Sequence, residues 1–578
     1  MIYSRTALLQ ICVRSGIPKH RLHTKACNSS AETAVVLKRI QKAVRVPLPS
    51  STTHTELCIQ GHGTYMGMEC QWNSRFRPMD GAFLETIESS QLSFTYGHTG
   101  CSARGRLSQS WAVEQDGLPK EYSLDDHEAL MLTSWVRNGF FLEPLAQHHL
   151  CIQHVRYSED QGLRLDGQHA AGGTQPSTGE AVVLRLRLQT GRLEAFLLVC
   201  AQTWQPQRMC LKVCGQPELV SYQDWAQWEI AHTSVICPSH LTMDGGANGH
   251  NIFNTDSVSW VTSPAQAAYL MPPCPVRPID TSFCASHPGT APAWWTAGGH
   301  VLVKPSINAC ADMGYFILDT GASGCVIEKD AADALELERF GDIAVSGMAG
   351  RIQSCFRRAA SIQLGPVTMT GCLFMEMGIG GLIRGAPGPV IGIVGHDIFR
   401  RCILTLPPPP AGGAPSKEVQ LLMQDPAQRH PKDDLLQWQE VEMVSNLPHV
   451  PVRLRPSDAE GSQREALLMV DLGASGSEVI FHSRAVEELG LQDLPQARTT
   501  QLKGVGGVHA KSVMMYSSRI PGMEMCGATY TGVNCLLTRS TGGPDFSCYT
   551  HGTLCADMLA RCTTVFDYAS KRMACIQA

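Results

Sequence analysis

The 578-residue chain has no apolar run approaching the ~18 residues that a bilayer-spanning helix needs. It also has no surplus of positive charge: 47 Lys and Arg stand against 52 Asp and Glu, for a net charge of -5, so there is no basic field to hold a phosphate backbone. Neither a membrane span nor a nucleic-acid partner is expected. C-x-x-C pairs are missing as well. The 23 cysteines are scattered and odd in number, which leaves at least one thiol unpaired within the chain, encodes no zinc ribbon and fits a reducing compartment. Phosphate-cradling loops are absent too. The stretch Gly504-Val505-Gly506-Gly507-Val508-His509-Ala510-Lys511-Ser512 ends Ala-Lys-Ser where a phosphate loop requires Gly-Lys-Ser, and the glycines of Gly61-His62-Gly63-Thr64-Tyr65-Met66-Gly67 lack dinucleotide-loop spacing. The histidine-rich residues 147–154 match no standard ligand spacing, so no metal and no cofactor are expected.

Acid is missing from the first 31 residues, where Arg5, Arg14, Lys19, Arg21 and Lys25 lie among Ser, Thr and Ala. Residues 1–50 therefore read as a basic tail with the composition of an organellar transit peptide, which points to chloroplast or mitochondrion over cytoplasm; a plain disordered tail is the alternative. Residues 31–45 have the apolar spacing of a short basic amphipathic helix.

What the chain does contain is material for packed cores: 43% of its residues are hydrophobic, and its length suits two to four domains. Residues 51–272 read as an antiparallel-sheet domain. Apolar and polar residues alternate through Val182-Val183-Leu184-Arg185-Leu186-Arg187-Leu188, and a turn at Thr190-Gly191-Arg192 leads into another apolar run. One helix is expected between Leu124 and Phe141, with Asp125, Asp126 and Glu128 in its first turn. Residues 273–297 are crowded with proline and read as a linker, and Leu406-Pro407-Pro408-Pro409-Pro410 opens a second connector, 407–440.

The regions on either side of that connector, 298–406 and 441–578, repeat one another. Phe316-Ile317-Leu318-Asp319-Thr320-Gly321-Ala322-Ser323-Gly324 returns as Leu468-Met469-Val470-Asp471-Leu472-Gly473-Ala474-Ser475-Gly476. In each copy an apolar strand halts at a carboxylate. A glycine hairpin follows each, at Gly347, Met348 and Gly350 and at Gly504, Val505 and Gly507, and then an apolar segment, Val394-Gly395-His396-Asp397 or Leu554-Cys555-Ala556-Asp557.

Asp319-Thr320-Gly321-Ala322-Ser323, a glycine flap and the downstream apolar-Gly segment resemble the retropepsin-like aspartic protease module, and the second copy resembles a duplicate of it. The resemblance covers roughly residues 298 to 578. It implies a mainly β fold of two pepsin-like lobes, no cofactor, a polypeptide substrate, and a dyad of Asp319 and Asp471. Two close carboxylates share one proton, so one can take a proton from water while the other polarises the peptide carbonyl. In the family, the threonine after each Asp bonds across to the opposite lobe. Leu472 has no hydroxyl for this, and Cys555 replaces the glycine that stands at 395, so a loose or crowded second loop is expected. Three readings follow: an aspartic endopeptidase acting as a monomer with intrachain lobe pairing, a decayed relative that binds peptides or apolar ligands without cutting, and lobes that pair between chains. The string SWAVEQDGLPKEYSLDDHEALMLTSWVRNGFF, residues 110–141, is similar to the sheet-plus-helix domain, related to lipoprotein-carrier half-barrels, that precedes such modules in some proteins.

Overall fold

Alternating side chains between residues 55 and 262 build one antiparallel sheet of 13 strands in the computed structural model. The structure describes residues 31–44, 55–101, 109–155, 181–213, 216–230, 233–245, 249–262, 269–347, 350–379, 383, 385–411, 416–428, 436–457, 463–495, 498–502, 513–538 and 548–577. The sheet grows from its middle. Thr55–Tyr65 pairs with both the strand after it and the last strand, His250–Thr262, and the chain meanders outward to one edge at Pro119–Tyr122. The helix Leu124–Arg137 then connects this edge to the other, Leu150–Val155, from which the chain meanders back.

That helix is amphipathic, and its apolar side is the plug of the sheet's core. Met131, Leu132, Trp135 and Val136 are all buried, and the following Phe140 meets Phe76 edge-on at 5.6 Å and Trp135 at 5.1 Å. Arg137 ends the helix with a bidentate pair to Glu85 at 2.8 and 2.9 Å, which satisfies a guanidinium that the core would otherwise leave uncompensated. The amphipathic helix Ala31–Ala43 buries Val36, Leu37 and Ile40.

The rest of the chain is mainly β and bilobal. In the first lobe Tyr315–Leu318 runs parallel to Val390–Val394, whose other side pairs antiparallel with Cys325–Ile327. The second lobe repeats this with Arg464–Asp471, Gly552–Cys555 and Val479–Phe481. Between the lobes one sheet is continuous: Ile403–Leu406 pairs on one side with Ser416–Gln424 and on the other with Cys562–Asp567 of the second lobe. The lobes are thus joined within one chain.

Two stretches expected as connectors carry strands. Thr281–Phe283 and Thr290–Thr296 lie within 273–297 yet pair with first-lobe strands, and Ser416–Gln424 lies within 407–440. Pro292 is tolerated because the strand Val301–Val303 pairs only from Ala293 onward, so the missing N–H faces no partner there. No helix among the described residues is long and apolar enough to cross a membrane.

The sheet domain touches both lobes. Its Met66 carbonyl accepts the Asp342 amide at 2.7 Å at the bulge of the first lobe's hairpin, and Gln91 receives Arg358 at 2.6 Å. On the second lobe, Asp126 holds Ser445 and Glu128 accepts the Tyr549 hydroxyl.

Candidate active site

Each strand that ends on a candidate aspartate is driven into the core by its own sequence: Phe316, Ile317, Leu318, Leu468, Met469 and Val470 are all buried. Asp319 and Asp471 come close enough that a single backbone amide reaches both carboxyl groups. The glycines two residues on are needed for space. A Cβ on Gly321 would lie 2.4 Å from the Asp471 carboxyl, and one on Gly473 would lie 2.4 Å from Asp319 Oδ2.

Removing those side chains exposes backbone donors. Asp319 Oδ1 accepts the amides of Gly321 at 2.7 Å and Gly473 at 3.0 Å. Asp471 Oδ1 accepts Gly473 at 2.8 Å and Ala474 at 3.0 Å. The Gly473 amide therefore bridges the two carboxyl groups. Burial pushes both above the usual carboxylate range, and Asp471 rises well above it because Asp319 adds like-charge repulsion. Two carboxyl groups raised together in this way titrate as a pair, whose protons come off in two steps that belong to both.

Thr320 and Leu472 divide the cross-lobe grip unequally. The Thr320 hydroxyl donates to Val470 O at 2.8 Å and accepts the Leu472 amide at 3.0 Å. Leu472 is fully buried in the core and returns only packing. The remaining loop residues make matched bonds: Ala322 O accepts His396 N at 3.0 Å, and Ala474 O accepts Ala556 N at 2.9 Å. Ser475 Oγ lies 3.3 Å from His300 Nε2, and the Ser323 carbonyl accepts Asn446 Nδ2 at 3.3 Å.

Cys555 does not crowd the Asp471 loop as expected. In the first lobe a Cβ at Gly395 would lie 2.3 Å from Gly324 O. The second loop escapes this clash through length: from the aspartate to the residue opposite the central strand there are seven positions in the first lobe, to Val326, and nine in the second, to Ile480. The two extra residues let the Cys555 amide reach Glu478 O at 3.0 Å, while the thiol packs among Ile480, Met515 and Leu536. Leu472→Thr is therefore expected to lower the melting temperature without raising turnover, since it exchanges buried carbon for a hydroxyl at a cost of about 2 kcal/mol. Cys555→Gly should not rescue it. Paired thermal melts and turnover assays of the two variants check both statements.

Of the hairpin residues, Gly347 and Gly350 pair at the end of the strands Glu338–Gly347 and Gly350–Arg358. Met348 lies outside the described residues, as do Gly504, Val505 and Gly507; the strands leading to that second tip pair up to Leu502 and Val513.

Several supporting residues went unassigned on sequence grounds. Asp397 Oδ2 accepts the Cys325 amide and Asp557 Oδ2 the Gly476 amide, each at 2.8 Å, so each lobe pins its aspartate-bearing loop with a second carboxylate. Their recurrence two places after Gly395 and Cys555 was the available signal. Tyr568 is buried, stacks on Phe399 at 5.2 Å, and has its phenol pushed up by burial and by both aspartates. Nothing local in its sequence marks it.

Residues 310–397 match a family model described as aspartyl protease, a window that holds Asp319 and Asp397 but stops before the second copy. No curated protein matches the chain. The chain is similar to two solved structures: an aspartic proteinase from Irpex lacteus, at 12% identity over 50% of this chain and 97% of that one with a TM-score of 0.34, and Basic 7S globulin from soybean, at 11% identity over 52% and 96% with a TM-score of 0.31. Likenesses this distant carry no weight for function, which is left to the carboxylates and the turns that hold them.

Proposed function

We propose that the protein is an aspartic endopeptidase whose Asp319 and Asp471 hydrolyse a peptide bond across the two lobes. The observation that supports this most is the Gly473 amide bridging two carboxyl groups that burial pushes upward. Asp319, ionised, takes a proton from a water that adds to the peptide carbonyl, while Asp471 gives its proton to the carbonyl oxygen. The resulting gem-diol collapses as Asp319 passes its proton to the departing nitrogen and Asp471 recovers one from a hydroxyl, so the C–N bond breaks and the pair is restored. The substrate is an extended polypeptide lying beneath the hairpin of Glu338–Gly347 and Gly350–Arg358.

Turnover of an unstructured fluorogenic peptide is expected to be bell-shaped in pH. It falls on the acid side when both carboxyl groups are protonated, and on the alkaline side when the pair loses its last proton. Because both groups are shifted upward, the bell extends to higher pH than ordinary carboxylates would allow. A statine-type peptide, whose hydroxyl takes the place of the attacking water, should compete with substrate. Neither turnover nor statine binding in cooperatively folded protein would overturn the proposal and leave a cleft that binds without cutting.

A further inference from the structure

The hairpin Glu442–Val444 and Leu447–Arg455 closes in a two-residue turn at Ser445 and Asn446, both left-handed with φ of 49° and 66°. Asparagine tolerates this conformation and serine does so reluctantly, so something must hold the turn. On one side the holder is the sheet domain. Asp126 accepts the Ser445 amide at 2.6 Å and its hydroxyl at 2.8 Å, Ser123 Oγ donates to Met443 O at 3.1 Å, and Lys120 Nζ donates to Asn446 Oδ1 at 2.7 Å. Burial works against the Lys120 ammonium, but its ion pair with Glu114 and the nearby Asp116 and Asp126 outweigh it and raise its pKa.

On the other side the turn meets the first catalytic loop. Asn446 Nδ2 donates to Ser323 O at 3.3 Å, and Asn446 O lies 2.9 Å from His396 Nδ1, while the amide of the same His396 bonds Ala322 O at 3.0 Å. Asn446 is 7% exposed, and its amide has only one sensible orientation, since a lysine can only donate and a carbonyl can only accept. One buried side chain thus joins an ammonium of the sheet domain to the backbone four residues past Asp319.

We infer that Lys120 and Asp126 are positioning residues for Asp319, acting through the Ser445–Asn446 turn, so that the sheet domain is part of the catalytic unit. This rests on the endopeptidase reading. Asp319 already has its two amide donors; the clasp adds a fixed height for the loop that carries it. Because displacement of a catalytic group by about 1 Å costs on the order of 100-fold, partial release of one anchor should lower kcat by about 10-fold and leave KM within about twofold.

The test uses the full chain. Lys120→Met, Lys120→Arg and Asp126→Asn are compared with wild type in steady-state turnover of a fluorogenic peptide and in hydrogen–deuterium exchange of residues 319–327. Lys120→Met should lower kcat about 10-fold and speed exchange in that segment, Lys120→Arg should restore both, and Asp126→Asn should act in the same direction as Lys120→Met. If Lys120→Met fails to melt cooperatively, Asp126→Asn and the arginine variant decide in its place. Unchanged kcat and exchange, or a rise in KM alone, overturns the clasp. Wild type without turnover sinks the endopeptidase reading instead, and the exchange data still decide whether the sheet domain holds the loop.

Discussion

Asp319→Asn and Asp471→Asn are each expected to lower turnover by at least about 10³-fold, with the double variant no worse than either alone. A positioned acid or base contributes roughly 10²- to 10⁴-fold, and here each half-step uses both members, so losing one disables the other. Asparagine keeps the shape of aspartate and an oxygen for the Gly321 and Gly473 amides, so the loops should stay folded. Stability supplies an independent readout whose sign is fixed by the upward shifts. A carboxyl group whose folded pKa is raised binds protons more readily in the native state, so it costs stability as pH climbs from its ordinary value of 3.8 through the folded one. Asparagine carries no such dependence. Asp471→Asn should therefore melt higher than wild type near neutrality and converge with it in acid. Wild-type turnover surviving either substitution would sink the dyad, and a lower neutral melting temperature for Asp471→Asn would contradict the burial of its carboxyl.

The sequence showed most clearly what is local. An apolar strand halted by Asp and small residues is visible in Phe316 to Ser323 and again in Leu468 to Ser475, and the helix starting at Leu124 is visible from its acidic first turn and apolar stripe. Less was visible wherever a residue's role depends on distant chain. Lys120 and Asn446 are 326 positions apart, and neither belongs to a motif. Proline content misled for 281–296 and 416–424: the strand holding Pro292 keeps its register with 416–424 from Thr290 to Thr296, and the prolines of the second connector lie outside 416–424. Reading Cys555 as a clash counted a substitution without counting Ser477 and Glu478, the insertion that makes room for it. Compensation of that kind is spread over several residues and shows only when the two lobes are laid side by side.

Thr320→Val is expected to be the most damaging substitution outside the dyad, because one hydroxyl bonds the backbone groups on both sides of Asp471. Valine matches threonine in shape, so packing around this residue, only 1% exposed, is kept. What disappears is the donor to Val470 O and the acceptor for Leu472 N, two backbone groups that flank Asp471 on either side. Left unpaired in a dry site, each costs about 1–3 kcal/mol. A symmetric pair of threonines would leave the opposite hydroxyl in place after such a change; Leu472 leaves nothing. The strand end carrying Asp471 should then drift from the Gly473 amide it shares with Asp319, and turnover should fall by about 100-fold with a lower melting temperature. Thr320→Ser keeps the hydroxyl and loses only a methyl group, so it should retain most of the activity. Turnover and thermal melts of the two variants side by side test the point. Equal behaviour of valine and serine at position 320 would mean that packing by Leu472, and not the hydroxyl, holds the lobes in register.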